Sequence, residues 1–442
     1  MHETHLYPWA KKGKLYDNIT SHRDEMKARL IRFSLSFVFC CSLAVSGLAL
    51  AEESPQWETT TLTGDWDGTR TRLSDRGVNM EFTHRSDVIS NISGGIKTGT
   101  AWLGYTDARV QADLGKLHGW NGLTAYFHFH SILGDKPNAN MVGSSMGVDN
   151  LETSVNTGQF YQASLEKMLL DNHLSILLGL YPIDSEFYVT DTSGLFIHPS
   201  FGMAAELSQA GVNGPAIYPM GALGGRIKYV TADNKAYAQL AVQDGIPGDP
   251  KNPYGTQIKL DKSDGIFSIA EFGYTPSLEG VNKTALGVWG YSAHFDDLQD
   301  VDAQGNPIKR ASVGWYALME RILYAEKQDA AQGLAGFMRM GFANPDIYQF
   351  AWSASIGLQY MGLLAGRDLD AAGIAFTSSR ASAKYRTINN SAAYESMVEV
   401  TYCIQMNAWA TAQPFVQRIF NPGMDSSMQD ASQLGIRVEL TL

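Results

Sequence analysis

Charged side chains recur at every second position in several stretches, and any chemistry in this chain would sit on those faces. In 106–114, Asp107, Arg109 and Asp113 alternate with Thr106, Ala108, Val110, Ala112 and Leu114; in 78–87, Glu81 and Arg85 alternate with Val78, Met80 and Phe82. Arginine supplies fixed donors and carboxylates supply acceptors, a mixture suited to binding water or a polar solute weakly and reversibly. Arg226 and Arg339 occupy equivalent polar positions further on, so Glu81, Arg85, Asp107, Arg109, Arg226 and Arg339 are the candidate solute-facing residues. Arg367, Asp368 and Asp370 in GRDLD form a tight charged turn beside Gly366 and Gly373, and a structural ion pair is the better reading there. His128 and His130 share a face, but with no Cys, Glu or third His close in sequence they read as polar wall residues rather than a metal site. The oxygen-rich stretch 244–255 lacks the spacing of a calcium hand. No catalytic residue, metal or cofactor is assigned.

The elements that must carry these faces are strands. Period-two alternation in 78–87, 106–114, 123–130, 236–242, 398–406 and 436–442 predicts strands of roughly 8 to 11 residues. Short turn signals such as TADNK (231–235) contrast with the longer ones at 242–255 and 295–310, which read as acidic loops. At about 24 residues per strand and connection, the chain after residue 51 makes about 16 strands. A face bearing full charges must meet water, and small residues beside Tyr229, Trp352, Tyr360 and Tyr402 suit a lipid-facing surface with an aromatic girdle. No apolar run after residue 51 is long enough for a membrane helix. The expected fold is all-β: a transmembrane antiparallel barrel with a short N-terminal helix on the periplasmic side. In 64–78, Asp67 would cap that helix and Gly77 would take its left-handed C′ position. The closing stretch GIRVELTL would be the last strand, pairing with the one at 78–87 because an open edge in lipid leaves backbone groups unsatisfied. The stretch 194–224, rich in Gly, Ala and Pro, breaks the alternation; it either folds inward and narrows the pore or forms two short irregular strands.

Met26 opens a secretory leader: Lys27, Arg29 and Arg32, an apolar run, then Ala49-Leu50-Ala51 before Glu52. The chain thus divides into an extension before the true start (1–25), a signal peptide (26–51), a periplasmic segment (52–77) and the barrel (78–442). The whole carries 34 Lys and Arg against 45 Asp and Glu, and the leader removes more base than acid. So acidic a protein lacks the footprint for nucleic acid. Of three cysteines only Cys403 follows the leader, so no intrachain disulfide forms.

LTGDWDGTRTRLSDRGV (62–78), NISGG (91–95), LGLYPIDSEF (178–187), NGPAIYPMGALGGRIKY (213–229), AVQDGIPGDP (241–250), GLQYMGLLAGRDLDAAGIAF (357–376) and QPFVQRIFNPG (413–423) together resemble the carbohydrate-selective porin family of OprB type. The order is the family's, and the motifs span nearly all of the chain after the leader. The resemblance implies a 16-stranded outer-membrane barrel that passes sugars by diffusion through a constriction lined by charged and hydrogen-bonding groups. It departs at Asp67, where the family more often has Gly, and at Leu442, where outer-membrane proteins usually end in an aromatic residue. The expected partners are small-molecule sugars, outer-membrane lipids and the barrel assembly machinery, with a homotrimer left open. The competing readings are a general porin without sugar preference, an outer-membrane enzyme, and a secreted glycan-binding β protein.

Overall fold

Strands with one apolar and one charged face close on themselves when both edges must be paired, because a bilayer offers no water to an open N–H or C=O. The computed structural model describes residues 56–276, 281–327 and 329–442, and there sixteen antiparallel strands form a closed barrel. They are β1 (Val78–Ser93), β2 (Gly99–Asp113), β3 (Leu123–Gly134), β4 (Thr157–Leu169), β5 (Leu174–Tyr181), β6 (Ala222–Val230), β7 (Ala236–Asp244) and β8 (Ile266–Tyr274). Then follow β9 (Lys283–Val301), β10 (Pro307–Ala325), β11 (Gly333–Ala343), β12 (Phe350–Met361), β13 (Ala371–Ala381), β14 (Tyr394–Asn407), β15 (Ala410–Phe420) and β16 (Ala431–Thr441). Each strand pairs with its neighbours in sequence, and β16 returns to β1 with Thr441 opposite Thr83 and Val438 opposite Ser86. The expected strand number and final pairing both hold; the leader and the extension before it lie outside the described residues.

The alternation sorts the faces. Val88, Phe127, Ile227, Leu240, Val400 and Ile436 are exposed on the outside, while Asp87, Asp107, Gln239, Glu399 and Arg437 are buried inside. Outward aromatics gather near both ends of the strands. Trp102, Trp352 and Tyr394 lie toward the long-loop end; Tyr229, Tyr274, Tyr324 and Tyr360 lie toward the end that holds Leu442. This double girdle is the pattern of a barrel spanning a membrane.

Connections at the Leu442 end are short, while the opposite end carries loops 135–156, 182–221 and 245–265. The stretch 295–310 corrects the sequence reading. Instead of a loop it is a ribbon: β9 and β10 run 19 residues each, with Lys309 opposite Asp296 and Pro307 opposite Val301. Its Asp and Gly content reads as turn, but a two-stranded ribbon is held by backbone bonds that do not depend on side-chain type. A helix in 383–389 braces it, with Lys384 2.7 Å from Asp297, 2.8 Å from Asp300 and 2.9 Å from Asp346.

Thr69–Asp75 forms a helix, α1, ahead of β1. Asp67 is not its cap: Gly68, at φ 78°, holds the N-cap position with no side-chain bond. Asp65 serves the first turn instead, accepting from the Thr71 N–H at 2.8 Å. Gly77 takes the left-handed place at φ 92° and donates to Ser74 at 2.8 Å. The segment clasps the closing seam. Arg70, lying over the Trp66 ring at 4.0 Å, donates to the Leu442 carbonyl at 2.6 Å, and Leu62 N–H donates to Thr441 at 2.8 Å.

Candidate functional site

The lumen is not polar throughout. Along β1 the inward side chains run Glu81, Thr83, Arg85, Asp87 and then Ile89, which is fully buried; Ala101 and Leu103 on β2 and Ile132 on β3 are buried apolar residues as well. These apolar inward residues form a core with loops that fold into the barrel. Loop 182–221 crosses the interior, placing Leu195, Phe196, Ile197 and Phe201 against Phe337, Met397 and Phe415 of the far wall. Its other half packs Phe187, Tyr188 and Leu207 against Phe267, Trp289 and Tyr316. Of the two readings for 194–224, the inward fold is the one found; β6 begins only at Ala222. Inward glycines leave the room: a Cβ on Gly373 would come within 2.6 Å of Leu195 and 2.9 Å of Phe196.

A loop buried in a barrel must satisfy its peptide groups there. The wall does this with charge. Glu399 accepts from Ile197 N–H at 2.7 Å and His198 N–H at 2.9 Å, and from the Gln417 amide at 3.0 Å. Glu320 accepts from the N–H and hydroxyl of Thr192, both at 3.1 Å, and Glu271 from Tyr188 N–H at 3.0 Å. Glu395 holds loop 135–156 through Ser145 N–H at 2.9 Å, Met146 N–H at 3.1 Å and the Ser144 hydroxyl. Arg339 donates to three loop carbonyls: Tyr188 at 3.2 Å, Ser200 at 2.5 Å and Gly202 at 2.9 Å. Within the loop, burial pushes the Glu206 carboxyl up to about 6 and the His198 imidazole down to about 3.

The six sequence-singled residues therefore divide. Arg85 pairs with Glu439 at 2.5 Å, with side chains 19% and 24% exposed. Arg109 lies 2.6 Å from Asp107 and 4.0 Å from Glu81. Glu81, Arg85 and Arg109 are half-buried and reach lumen water, whereas Asp107 is buried beneath Arg109, His128 at 3.2 Å and the Thr83 hydroxyl. Arg226 and Arg339 are turned away from a solute. Arg226 is held by Glu166 at 2.9 Å and Glu186 at 2.8 Å, and Arg339 by the loop. Nothing in the local sequence separates these two from Arg109, since their partners, Glu166 of β4 and the residues of loop 182–221, lie far along the chain. Arg367 clamps Asp370 through two bonds of 2.8 Å, and Asp370 also accepts from Tyr402 and Gln405 N–H, both at 2.9 Å, so this pair fastens the turn after β12 to β14; Asp368 is exposed. His130 stacks on Tyr161 at 5.1 Å.

Gly143–Gly147 reads GSSMG and so fits the spelling of a hydrolase nucleophile elbow, G-x-S-x-G. That motif needs a strand-to-helix turn presenting the serine. Ser145 instead lies within loop 135–156, its hydroxyl accepting from the Gln349 amide at 3.0 Å. The run serves to dock the loop on Glu395.

Comparison with known proteins agrees with this architecture. Residues 97–442 match the family model described as "Carbohydrate-selective porin, OprB family". Porin B of Pseudomonas aeruginosa is 22% identical over 446 residues, covering 90% of this chain and 95% of that one. The high-pH structure of Pseudomonas putida OprB superposes with a TM-score of 0.79 at 19% identity, covering 88% of this chain and 100% of that one. The outer-membrane channel DcaP of Acinetobacter baumannii gives a TM-score of 0.53 at 10% identity, covering 83% of this chain and 97% of that one. The chain belongs to the OprB family and is an outer-membrane porin of the carbohydrate-selective class.

Proposed function

We propose that small neutral sugars diffuse passively past the face built by β16, β1, β2 and β3, with Glu81, Arg85 and Arg109 as the solute-facing residues and Asp107 positioning Arg109. One observation carries this reading: those charges are paired with each other and half-exposed, whereas the charges of the opposite wall are used up on loop peptides. The paired groups offer donors and acceptors to hydroxyl groups while their charges largely offset one another, so a sugar exchanges water for weak bonds and leaves again. On this reading the chain is a channel rather than an enzyme. The outer face takes lipid as its solvent, and the barrel assembly machinery inserts the strands; crosslinking in outer membranes would reveal a homotrimer.

Liposome swelling with a panel of mono- and disaccharides tests it. Monosaccharides should enter fastest, and Arg109→Gln should change their rate more than that of a small zwitterion of similar size. If all solutes of one size enter equally, the general-porin reading replaces this one; a purified protein silent in both liposomes and planar bilayers would defeat both.

A further inference from the structure

The inward cations of the barrel wall are spoken for, with one exception among the described residues. Arg85 meets Glu439 at 2.5 Å, Arg109 meets Asp107 at 2.6 Å, Arg226 meets Glu166 at 2.9 Å, and Arg437 meets Asp87 at 2.5 Å. Arg339 holds loop carbonyls, and Lys283 donates to the Val189 carbonyl at 2.9 Å with Glu271 at 4.0 Å. Lys228, on β6, is different. Its neighbours Ile227 and Tyr229 are exposed to the outside, so the alternation turns Lys228 inward, where it is half-buried. Among the described residues it makes no hydrogen bond and no ion pair within 4 Å; its ammonium rests over the ring of Tyr237 at 5.1 Å.

The acids nearby are already committed. Glu186 is bound to Arg226 at 2.8 Å. Glu271 accepts from the hydroxyl of Tyr237 at 2.6 Å and that of Tyr316 at 2.7 Å, besides Tyr188 N–H at 3.0 Å. Lys283 lies 5.6 Å from the same Tyr237 ring, so two ammonium groups share one aromatic surface. An aromatic face lowers the cost of holding a cation there but adds no counter-charge of its own. Like charges so placed repel, and an anion entering the lumen relieves that repulsion. Both lysines stand near the Leu442 end of the lumen, since Lys228 lies two residues before the end of β6 and Lys283 opens β9.

Resting on the sugar-channel reading above, we propose that Lys228, with Lys283 behind it on the Tyr237 ring, is a specificity-determining anion step, and that the channel passes carboxylate-bearing sugars as well as neutral ones. The hydroxyls of such a solute meet the same donors and acceptors as a neutral sugar, while its carboxylate meets the unpaired ammonium. A half-buried lysine held only by an aromatic face attracts without trapping, which is what conduction needs.

Planar bilayers with a concentration gradient of potassium gluconate give the gluconate-to-potassium permeability ratio from the reversal potential; glucose entry is followed separately by liposome swelling. Lys228→Gln should lower the gluconate ratio by about threefold or more, the size expected from losing one charge at short range in a wet lumen, while glucose entry stays within about twofold. Lys228→Arg should restore the ratio. The proposal is overturned if gluconate does not permeate the unaltered channel, if Lys228→Gln leaves the ratio unchanged, or if gluconate and glucose fall together, which would make Lys228 a packing residue. Failure of glucose to enter the unaltered channel would instead remove the sugar-channel reading on which the proposal rests.

Discussion

Two walls of the same barrel use the same residue types for different ends. On β16, β1 and β2, Arg85 and Glu439 lie side by side at 2.5 Å with about a fifth of each side chain open to water. On β11 and β14, Arg339 and Glu399 are at most 2% exposed and are bonded to the peptide groups of loop 182–221. What separates them is coverage. Where a loop folds over an inward charge, that charge is needed to satisfy peptide N–H or C=O groups that have lost their water, and removing it leaves them orphaned. Where no loop covers it, the pair contributes little to stability and keeps its hydrogen-bonding capacity for whatever passes.

The sharpest break in that comparison is Arg339→Met, which keeps the stem and removes the guanidinium. Three loop carbonyls then lose their donor, those of Tyr188 and Ser200 being buried. The expected cost is about 3–5 kcal/mol to loop docking, as for stripping one partner from a buried charged network. The barrel itself is held by its strand ladder and should survive. Single-channel conductance should rise severalfold, and protease should cut within 182–221 without cutting the strands. Unchanged conductance with an intact loop would mean that apolar packing of Phe196 and Phe201 holds the loop without help.

His198 makes the docking of the same loop sensitive to acid, by less. His198 is fully buried with Nδ1 accepting from Ser200 N–H at 3.2 Å, and burial lowers its pKa from the ordinary 6.5 to about 3. A lowered histidine pKa means that the undocked form takes up the proton first, so docking is strongest above pH 6.5 and weakens as pH falls from 6.5 toward 3. At pH 5 the loss is about 2 kcal/mol, each unit below the ordinary value costing about 1.4 kcal/mol. Glu206 works the other way. Its raised pKa, about 6 against 4.5, favours the docked form as pH falls from 6 to 4.5, and by pH 5 it returns about 1 kcal/mol. Of these two loop groups histidine has the larger effect. His198→Gln should therefore make the loop more resistant to protease at pH 5, relative to pH 7, than it is in the unaltered channel; a His198→Gln channel with the same pH dependence as the unaltered one would assign the effect elsewhere.

The barrel was legible because period-two alternation is a local property: each strand carries its own evidence of one wet and one lipid face, and length alone set the strand number near 16. The roles of single charges were not. Arg109 and Arg339 look alike along the sequence, and what tells them apart is a loop residue more than a hundred positions away, Ser200 lying 139 residues from Arg339. The apolar inward residues Ile89 and Leu103 were obscured for the same reason, since a lumen position turns apolar only when a distant loop packs on it. The β9–β10 ribbon was hidden by its own composition, acidic side chains standing on strands that backbone pairing holds. Asp67 failed as a cap because the chain turns through a left-handed Asp67 and Gly68, which leaves the first turn to Asp65.

The smallest expected effect falls on the open wall, and it is the one that most sharpens the contrast. Arg85→Gln and Glu439→Gln should each shift unfolding by no more than about 1 kcal/mol, and the double variant by little more, because a partly exposed pair gains little net energy from being made. Transport should respond more than stability. Each single variant leaves one uncompensated charge facing the lumen, so Arg85→Gln should raise cation preference and Glu439→Gln should lower it, while the double variant returns near the starting ratio with slower sugar entry. Reversal potentials in a potassium chloride gradient, read beside melting curves of the same four proteins, settle whether this pair serves the passage of solute. A pair whose removal costs several kcal/mol and leaves selectivity untouched would belong with Arg339 and Glu399, and the division between the two walls would fall.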